Sequence, residues 1–354
     1  MSNKNPYTLS FGRIPNEYIS RDVLISDILD SLHNDMVDDQ AFKLTGIRGT
    51  GKTVTLTAIE KELKNEKDWI IVNLRFNTDL LTDLIANLYS EIPFISKFID
   101  ANLNLSAFGI GLNISQKSPV ASLDVALRKL LKEVQKQKKK ILVTIDEVQK
   151  TDHLIDFVQE FQLLIREDLP IYLIVAGLYE DIEDIENTDG LTFFLRAAKY
   201  EMKPLNLNII RESYRETLNL SVETADKLAK MTKGYAFAYQ AFGSYMWESG
   251  SKEITDLILA KVDDALSQKV YSKIWSELRP KDKWYLSYII KKDSMPVSEL
   301  LELTQKKHND WSMSKKRLTE KGIIDGSIRG EIKIVLPRFR EFVEEQTSEI
   351  PPEY

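Results

Sequence analysis

Cysteine is absent from this 354-residue chain, which excludes disulfide scaffolds, thiolate zinc sites and cysteine nucleophiles together. Histidine is nearly as scarce. His33, His153 and His308 stand far apart in sequence, so a histidine metal site is not expected. No uninterrupted apolar run approaches the ~20 residues that a membrane-spanning helix needs, and the N-terminal stretch MSNKNPYTLSFGR lacks the apolar segment of a signal peptide. These absences point to a cytoplasmic protein with no membrane partner. What is present suits a globular chain, with 43% apolar and 29% charged residues. The length exceeds what one core usually absorbs, so two or three domains are expected.

The net charge of -6 argues against a uniformly basic coat for nucleic acid, but the charge is unevenly spread. Residues 271–340 carry 16 Lys and Arg against 9 Asp and Glu, or +7, while residues 1–270 carry 32 against 40, or -8. The remaining 341–354 hold five acids and no base. A basic module therefore follows an acidic one, and a solvated face of mixed charge is the plainer alternative.

Short apolar runs alternate with amphipathic stretches over the first two hundred residues. AFKLT (41–45), WIIVNL (69–74), ILVTIDE (141–147) and IYLIVAG (171–177) read as buried strands, and a fifth is expected near Tyr200 to Leu205. TVTLTAIEKELKNEK, LDVALRKLLKEVQKQ and LIDFVQEFQLLIRED read as crossover helices. The fold class is thus α/β, a five-stranded parallel core over roughly 20–205. The stretch NLNLSAFGIGLNISQKSP, around Gly109 and Gly111, suggests an inserted hairpin or a decorated surface loop, and the lysines at 138–140 suggest the cationic end of a solvated helix. From 206 to 268 helical periodicity replaces the strand signal. After that, PKDKWYLSYIIK, PVSELLELTQ and SMSKKRLTEK precede the alternating run IIDGSIRGEIKIVLP, the order of a winged helix-turn-helix. The expected division is 1–205 for the core, 206–269 for a helical lid and 270–354 for the winged helix.

The strongest chemical signal is Gly46-Ile47-Arg48-Gly49-Thr50-Gly51-Lys52-Thr53, followed by Val54, directly after a strand and opening a helix. Backbone N–H groups of such a turn point at phosphate oxygens, and glycine lets the chain curl closely enough. Lys52 is expected to neutralise the β and γ phosphates of ATP, and the Thr53 hydroxyl to ligate Mg²⁺. Ninety-four residues beyond Lys52, ILVTIDE ends in two carboxylates. Asp146 is assigned to Mg²⁺ through water, and Glu147 to orienting and deprotonating the attacking water. Gln149 is either a reporter of the phosphate state or a surface residue. Arg196, in FFLRAAKY, is a candidate arginine finger for a neighbouring subunit, with Lys199 a lesser candidate and a solvated arginine the alternative. Tyr18, Ile19 and Arg21 read either as adenine contacts or as a staple of the first helix.

In SMSKKRLTEKG, Met313 and Leu318 are expected to face the core, with Ser314, Lys315 and Lys316 projecting toward a DNA major groove. Arg329, on the tight turn SIRG, is placed for a minor groove, and Lys333 for phosphate. A winged helix that binds a protein partner is the competing reading.

These residues resemble the AAA+ branch of P-loop ATPases, and within it the archaeal-type ATPases related to the Orc/Cdc replication initiators. The resemblance spans about 20–345 and rests on GIRGTGKT, IDEVQ, the AGL after the fourth strand, GYAFAYQ, and RLTEKGIID followed by GEIKIVLPRFREF. It implies hydrolysis of ATP with Mg²⁺, double-stranded DNA as partner, nucleotide held between core and lid, and nucleotide-dependent homo-oligomers. Two departures stand out. Gly234-Tyr235-Ala236-Phe237 lies where initiators usually carry an arginine that touches the nucleotide, and no polar residue follows the fourth strand. A nucleotide-gated regulatory or defence switch of the STAND type therefore stays open as the alternative. A metabolic P-loop kinase is remote, because no acceptor site is visible.

Overall fold

Strands rich in β-branched residues that are apolar on both faces must be covered on both sides, and this requirement gives a parallel sheet wrapped by helices. The structure is a computed structural model and describes residues 4–10, 14–34, 39–103, 105, 110, 122–325 and 328–347. It divides into two compact units, one of Arg21–Gly46 with Lys52–Met202 and one of Met1–Ser20, Ile47–Gly51 and Lys203–Tyr354.

The first unit runs α1 (Asp22–His33), β1 (Ala41–Thr45), α2 (Lys52–Lys64), β2 (Trp69–Leu74), α3 (Leu80–Glu91), α4 (Pro93–Asn102), α5 (Leu123–Lys136), β3 (Lys140–Ile145), α6 (Asp152–Ile165), β4 (Ile171–Gly177), α7 (Tyr179–Glu186), a 3-10 turn (Thr192–Arg196) and β5 (Ala198–Glu201). All strand pairs are parallel, in the order β2-β3-β4-β1-β5. The α/β class and the five-stranded parallel sheet are as expected. Val72, Val143, Leu173 and Val175 pack against Leu127, Leu131 and Phe161 of the covering helices. Helix starts are set locally: the side chains of Asp79 and Thr151 accept the N–H groups of Thr82 and Leu154.

Two local expectations shift. The fifth strand is Ala198–Glu201 rather than 200–205, because Leu205 joins the other unit's core. The lysine run does not end a helix. Helix α5 stops at Lys136, Lys138 turns through φ 55°, and Lys140 opens β3 with its ammonium over the rings of Trp69 and Tyr172. The insertion around Gly109 and Gly111 lies almost wholly outside the described residues.

The second unit is mainly helical: α8 (Leu207–Thr217), α9 (Val222–Thr232), α10 (Ala236–Ser249), α11 (Asp256–Leu266), a π turn (Ser267–Tyr271), α12 (Ser272–Glu277), α13 (Pro280–Ile289), β6 (Ser294–Pro296), α14 (Val297–Thr304), α15 (His308–Glu320), β7 (Glu331–Lys333) and α16 (Phe339–Thr347). A continuous apolar core runs from Ile210 and Phe242 through Tyr271 to Trp311 and Phe339. The N-terminal segment joins it: the Tyr7 ring packs over Gly243, where a Cβ would collide with it. The alternating run folds back on itself as an antiparallel pair, through an Ile324–Ile334 bridge flanked by the Asp325 N–H on the Lys333 carbonyl (2.9 Å) and the Val335 N–H on the Ile323 carbonyl (3.0 Å), and β7 also pairs antiparallel with β6, ahead of α14.

Candidate nucleotide-binding site

Strand β1 delivers a buried Gly46, and α2 begins with Lys52 and Thr53. The Lys52 ammonium donates to the Gly46 carbonyl at 2.8 Å, and the Thr53 hydroxyl donates to Asp146 Oδ2 at 2.6 Å. Asp146 follows β3 and is half-buried, whereas Glu147 is exposed. Glu147 sits at φ 52°, a left-handed conformation that costs a non-glycine residue about 1–2 kcal/mol. Bonds on either side hold it there, from the Glu147 N–H to Asp146 Oδ1 (2.9 Å) and from the Val148 N–H to the Ala176 carbonyl (2.9 Å). Val148 also fills the space over Gly177, where a Cβ would come within 2.9 Å of it. The end of β4 is therefore apolar and occupied, a physical setting for its lack of a polar residue. Val54 is half-buried on the first turn of α2.

Thr53 and Asp146 supply hard oxygen donors, the type Mg²⁺ requires. Among the described residues no group of three or more His, Asp or Glu gathers to hold a metal. An ion at this pair would therefore complete its shell with water and phosphate, as Mg²⁺ does in sites of this chemistry.

Residues 47–51 pack within the helical unit. Their carbonyls are turned to protein donors: Ile47 to the Thr50 hydroxyl at 2.9 Å, Arg48 to the Tyr235 hydroxyl, and Gly49 to the Phe237 N–H at 3.0 Å. Gly49 and Gly51 adopt φ +76° and +92°, which only glycine enters without cost. Tyr235 is delivered by a turn through Lys233 and Gly234, both left-handed, and becomes the N-cap residue of α10. Its side chain does not cap the helix. The Phe237 N–H, one of the donors left over at a helix start, goes to the loop.

The Arg48 side chain meets Glu277 at 3.2 Å, and Glu277 also takes Lys273 (3.3 Å) and Lys321 (3.5 Å). Burial works against the Glu277 carboxylate, but Arg48, Lys321 and Lys273 outweigh it and hold its carboxyl below the usual range. Ile47 packs over Gly322, where a Cβ would run into it.

Comparison with known proteins gives one family model, a Domain of unknown function (DUF8462), matching residues 268–343. No curated protein matches. Among solved structures the chain is similar to Cdc6p from Pyrobaculum aerophilum, at 16% identity and TM-score 0.48 over 96% of this chain and 97% of that one. It is similar to the Aeropyrum pernix ORC1 protein in complex with DNA, at 15% identity and TM-score 0.47 over 97% and 96%. Thermotoga maritima RuvB follows at 13% identity and TM-score 0.44 over 98% and 100%. At these scores and identities the likeness carries no residue roles across.

Other expected site residues are more scattered. Tyr18 and Ile19 are half-buried, and Ile19 packs on the helical core beside Glu17, which the side chains of Ser213 and Gln240 anchor. Arg21 is the N-cap residue of α1, without a side-chain cap. Arg196 is exposed at the end of the 3-10 turn, Lys199 pairs with Glu186 at 3.3 Å, and Gln149 is exposed.

In α15 the expected orientation is corrected. Ser314 is buried, with its hydroxyl accepting from Arg317, and Met313 is 60% exposed. Trp311, Ser314 and Leu318 are spaced three and four apart, so the serine shares the inner face with the two apolar anchors. Ser314 is therefore withdrawn as a DNA contact. Lys316, Arg329 and Lys333 are exposed and Lys315 is half-buried, while Lys316 is paired with Glu320 at 3.4 Å. Sequence reasoning missed Glu277, for which the motif offered no signal. It noticed the stretch from Gly234 to Phe237 only as a departure.

Proposed function

We propose that this chain is an AAA+ ATPase that binds ATP with Mg²⁺, hydrolyses it, and couples the cycle to duplex DNA through its C-terminal segment. The observation that carries the reading is the Thr53–Asp146 bond beside Lys52, at the mouth of a glycine loop between a parallel strand and a helix. Lys52 neutralises phosphate charge, and Thr53, with Asp146 through water, would hold Mg²⁺, which would spread the charge of the transferring phosphoryl group. Glu147 lines up the attacking water and takes its proton. Arg196 serves as an arginine finger supplied to a neighbouring copy. Residues 206–269 act as a lid and 270–354 as a winged helix. Lys315, Lys316, Arg329 and Lys333 meet phosphate, a role that gives affinity rather than sequence choice.

A second reading, the nucleotide-gated switch whose winged helix binds a protein, draws support from the packing of residues 47–51 within the helical unit. Steady-state ATP hydrolysis with and without random duplex DNA, at low and moderate salt, separates the two. Stimulation by DNA that fades with salt is expected for the first, and a slow rate indifferent to DNA favours the second. Lys52→Ala is expected to weaken ATP binding. Glu147→Gln is expected to keep binding and lose roughly 10²–10⁴-fold in turnover; wild-type turnover in that variant removes Glu147 as the base.

A further inference from the structure

Four successive loop carbonyls, from Gly46 to Gly49, each accept a hydrogen bond from a protein donor. Two of those donors, the Tyr235 hydroxyl and the Phe237 N–H, stand at the start of α10. A trans peptide is planar, so each carbonyl and the N–H that follows it point in opposite directions. Donors on the carbonyls of Arg48 and Gly49 therefore set the directions of the Gly49 and Thr50 N–H groups. In a loop of this kind those N–H groups cradle phosphate.

We propose that Tyr235 is a positioning residue of the phosphate-binding loop, acting on nucleotide through the Arg48 carbonyl and the Gly49 N–H rather than by touching it. The inference rests on the nucleotide reading of the loop. It gives the stretch that lacks the expected arginine a different way to act on the site: by holding the loop's backbone.

Three further features support it. A Cβ at Gly49 would collide with the Tyr235 hydroxyl, so glycine there serves both the backbone turn and the approach of this ring. Burial pushes the Tyr235 hydroxyl far above its ordinary value, and the nearby Arg48 opposes this only in part, so the hydroxyl stays a donor throughout the neutral range. The residue whose carbonyl Tyr235 binds is also gripped by its side chain, through Glu277.

The test is calorimetric titration of ADP and of a non-hydrolysable ATP analogue into wild type, Tyr235→Phe and Glu277→Gln, alongside thermal unfolding of the nucleotide-free proteins. Tyr235→Phe keeps the ring and removes one donor. The expected result is a loss of roughly five- to tenfold in affinity for both nucleotides, the size of one neutral hydrogen bond, with a melting temperature close to wild type. An equal loss is expected because the Gly49 and Thr50 amides face phosphates that ADP and ATP share. Unchanged affinity overturns the proposal. A loss confined to the ATP analogue also overturns it, since that places the tyrosine on the γ-phosphate itself. If Tyr235→Phe melts well below wild type, Glu277→Gln decides. It must weaken both nucleotides by about two- to threefold, the scale of a half-exposed ion pair, and unchanged affinity there overturns the proposal. Wild-type protein that binds neither nucleotide overturns the nucleotide reading and the inference with it, an outcome distinct from normal binding by the variants.

Discussion

The Thr53 hydroxyl donates to Asp146 at 2.6 Å across 93 residues of sequence. That bond joins the first turn of α2 to the end of β3, although β4 lies between β1 and β3 in the sheet. The Asp146→Asn variant keeps the shape and loses the charge. Its nucleotide affinity should respond to Mg²⁺ at least about tenfold less than that of wild type, because the variant loses the negative charge that would hold the hydrated cation. Titrations of nucleotide with and without Mg²⁺ check this, and a full Mg²⁺ response in the variant removes Asp146 from the metal site.

Lys43 lies fully buried in the interior strand β1, with its ammonium 2.7 Å from Glu186 Oε1 and 2.6 Å from the Phe194 carbonyl. It thereby holds the 3-10 turn that ends in Arg196. Lys43→Met strips the charge partner and the carbonyl donor together, and should destabilise the fold by about 3 kcal/mol. Urea unfolding measures this, and a midpoint equal to wild type would show that the pair is dispensable.

Replacing Lys315 and Lys316 together with alanine should weaken duplex binding uniformly across sequences and reduce the salt slope by about 2, one for each phosphate that is no longer neutralised. Ser314→Ala should leave DNA affinity unchanged, since the side chain is buried against Arg317. Fluorescence anisotropy at several salt concentrations reads both effects. An unaltered slope in the double variant moves the interface elsewhere.

The grip of Glu277 on Arg48 should withstand mild acid. The folded carboxyl titrates below the ordinary glutamate value of 4.5, so its stabilising effect is fully present above that value and is lost as pH falls through the folded one. The difference in nucleotide affinity between wild type and Glu277→Gln should therefore stay constant from neutral pH down to about 5. A difference that vanishes within that range would show a carboxyl titrating above its ordinary value.

The sheet was legible because its strands are continuous apolar runs bounded by turns, and β2 and β4 match the residues expected of them. The glycine loop was legible because phosphate chemistry restricts residue types at fixed spacing. The orientation of α15 was not. Met313 and Ser314 differ by one position on the helix, and a 100° rotation follows from whichever of Trp311, Met313 and Leu318 packs first. The run 323–335 was legible as extended chain but its full set of partners was not, because period-two alternation marks a strand without naming its neighbour: the run pairs with itself at Ile324 and Ile334, and β7 also pairs with β6.

By itself the sequence determined the strand and helix alternation, the glycine loop between β1 and α2, and the carboxylates at the end of β3. These rest on local periodicity and on residue types that chemistry demands. Only the tertiary structure decided that Thr53 meets Asp146, that Lys43 supports the turn bearing Arg196, and that Tyr235 and Glu277 hold the loop at Arg48. Those pairings span from 93 to 229 residues, and they are set by how helices and strands pack once each has buried its apolar face, which no local pattern encodes.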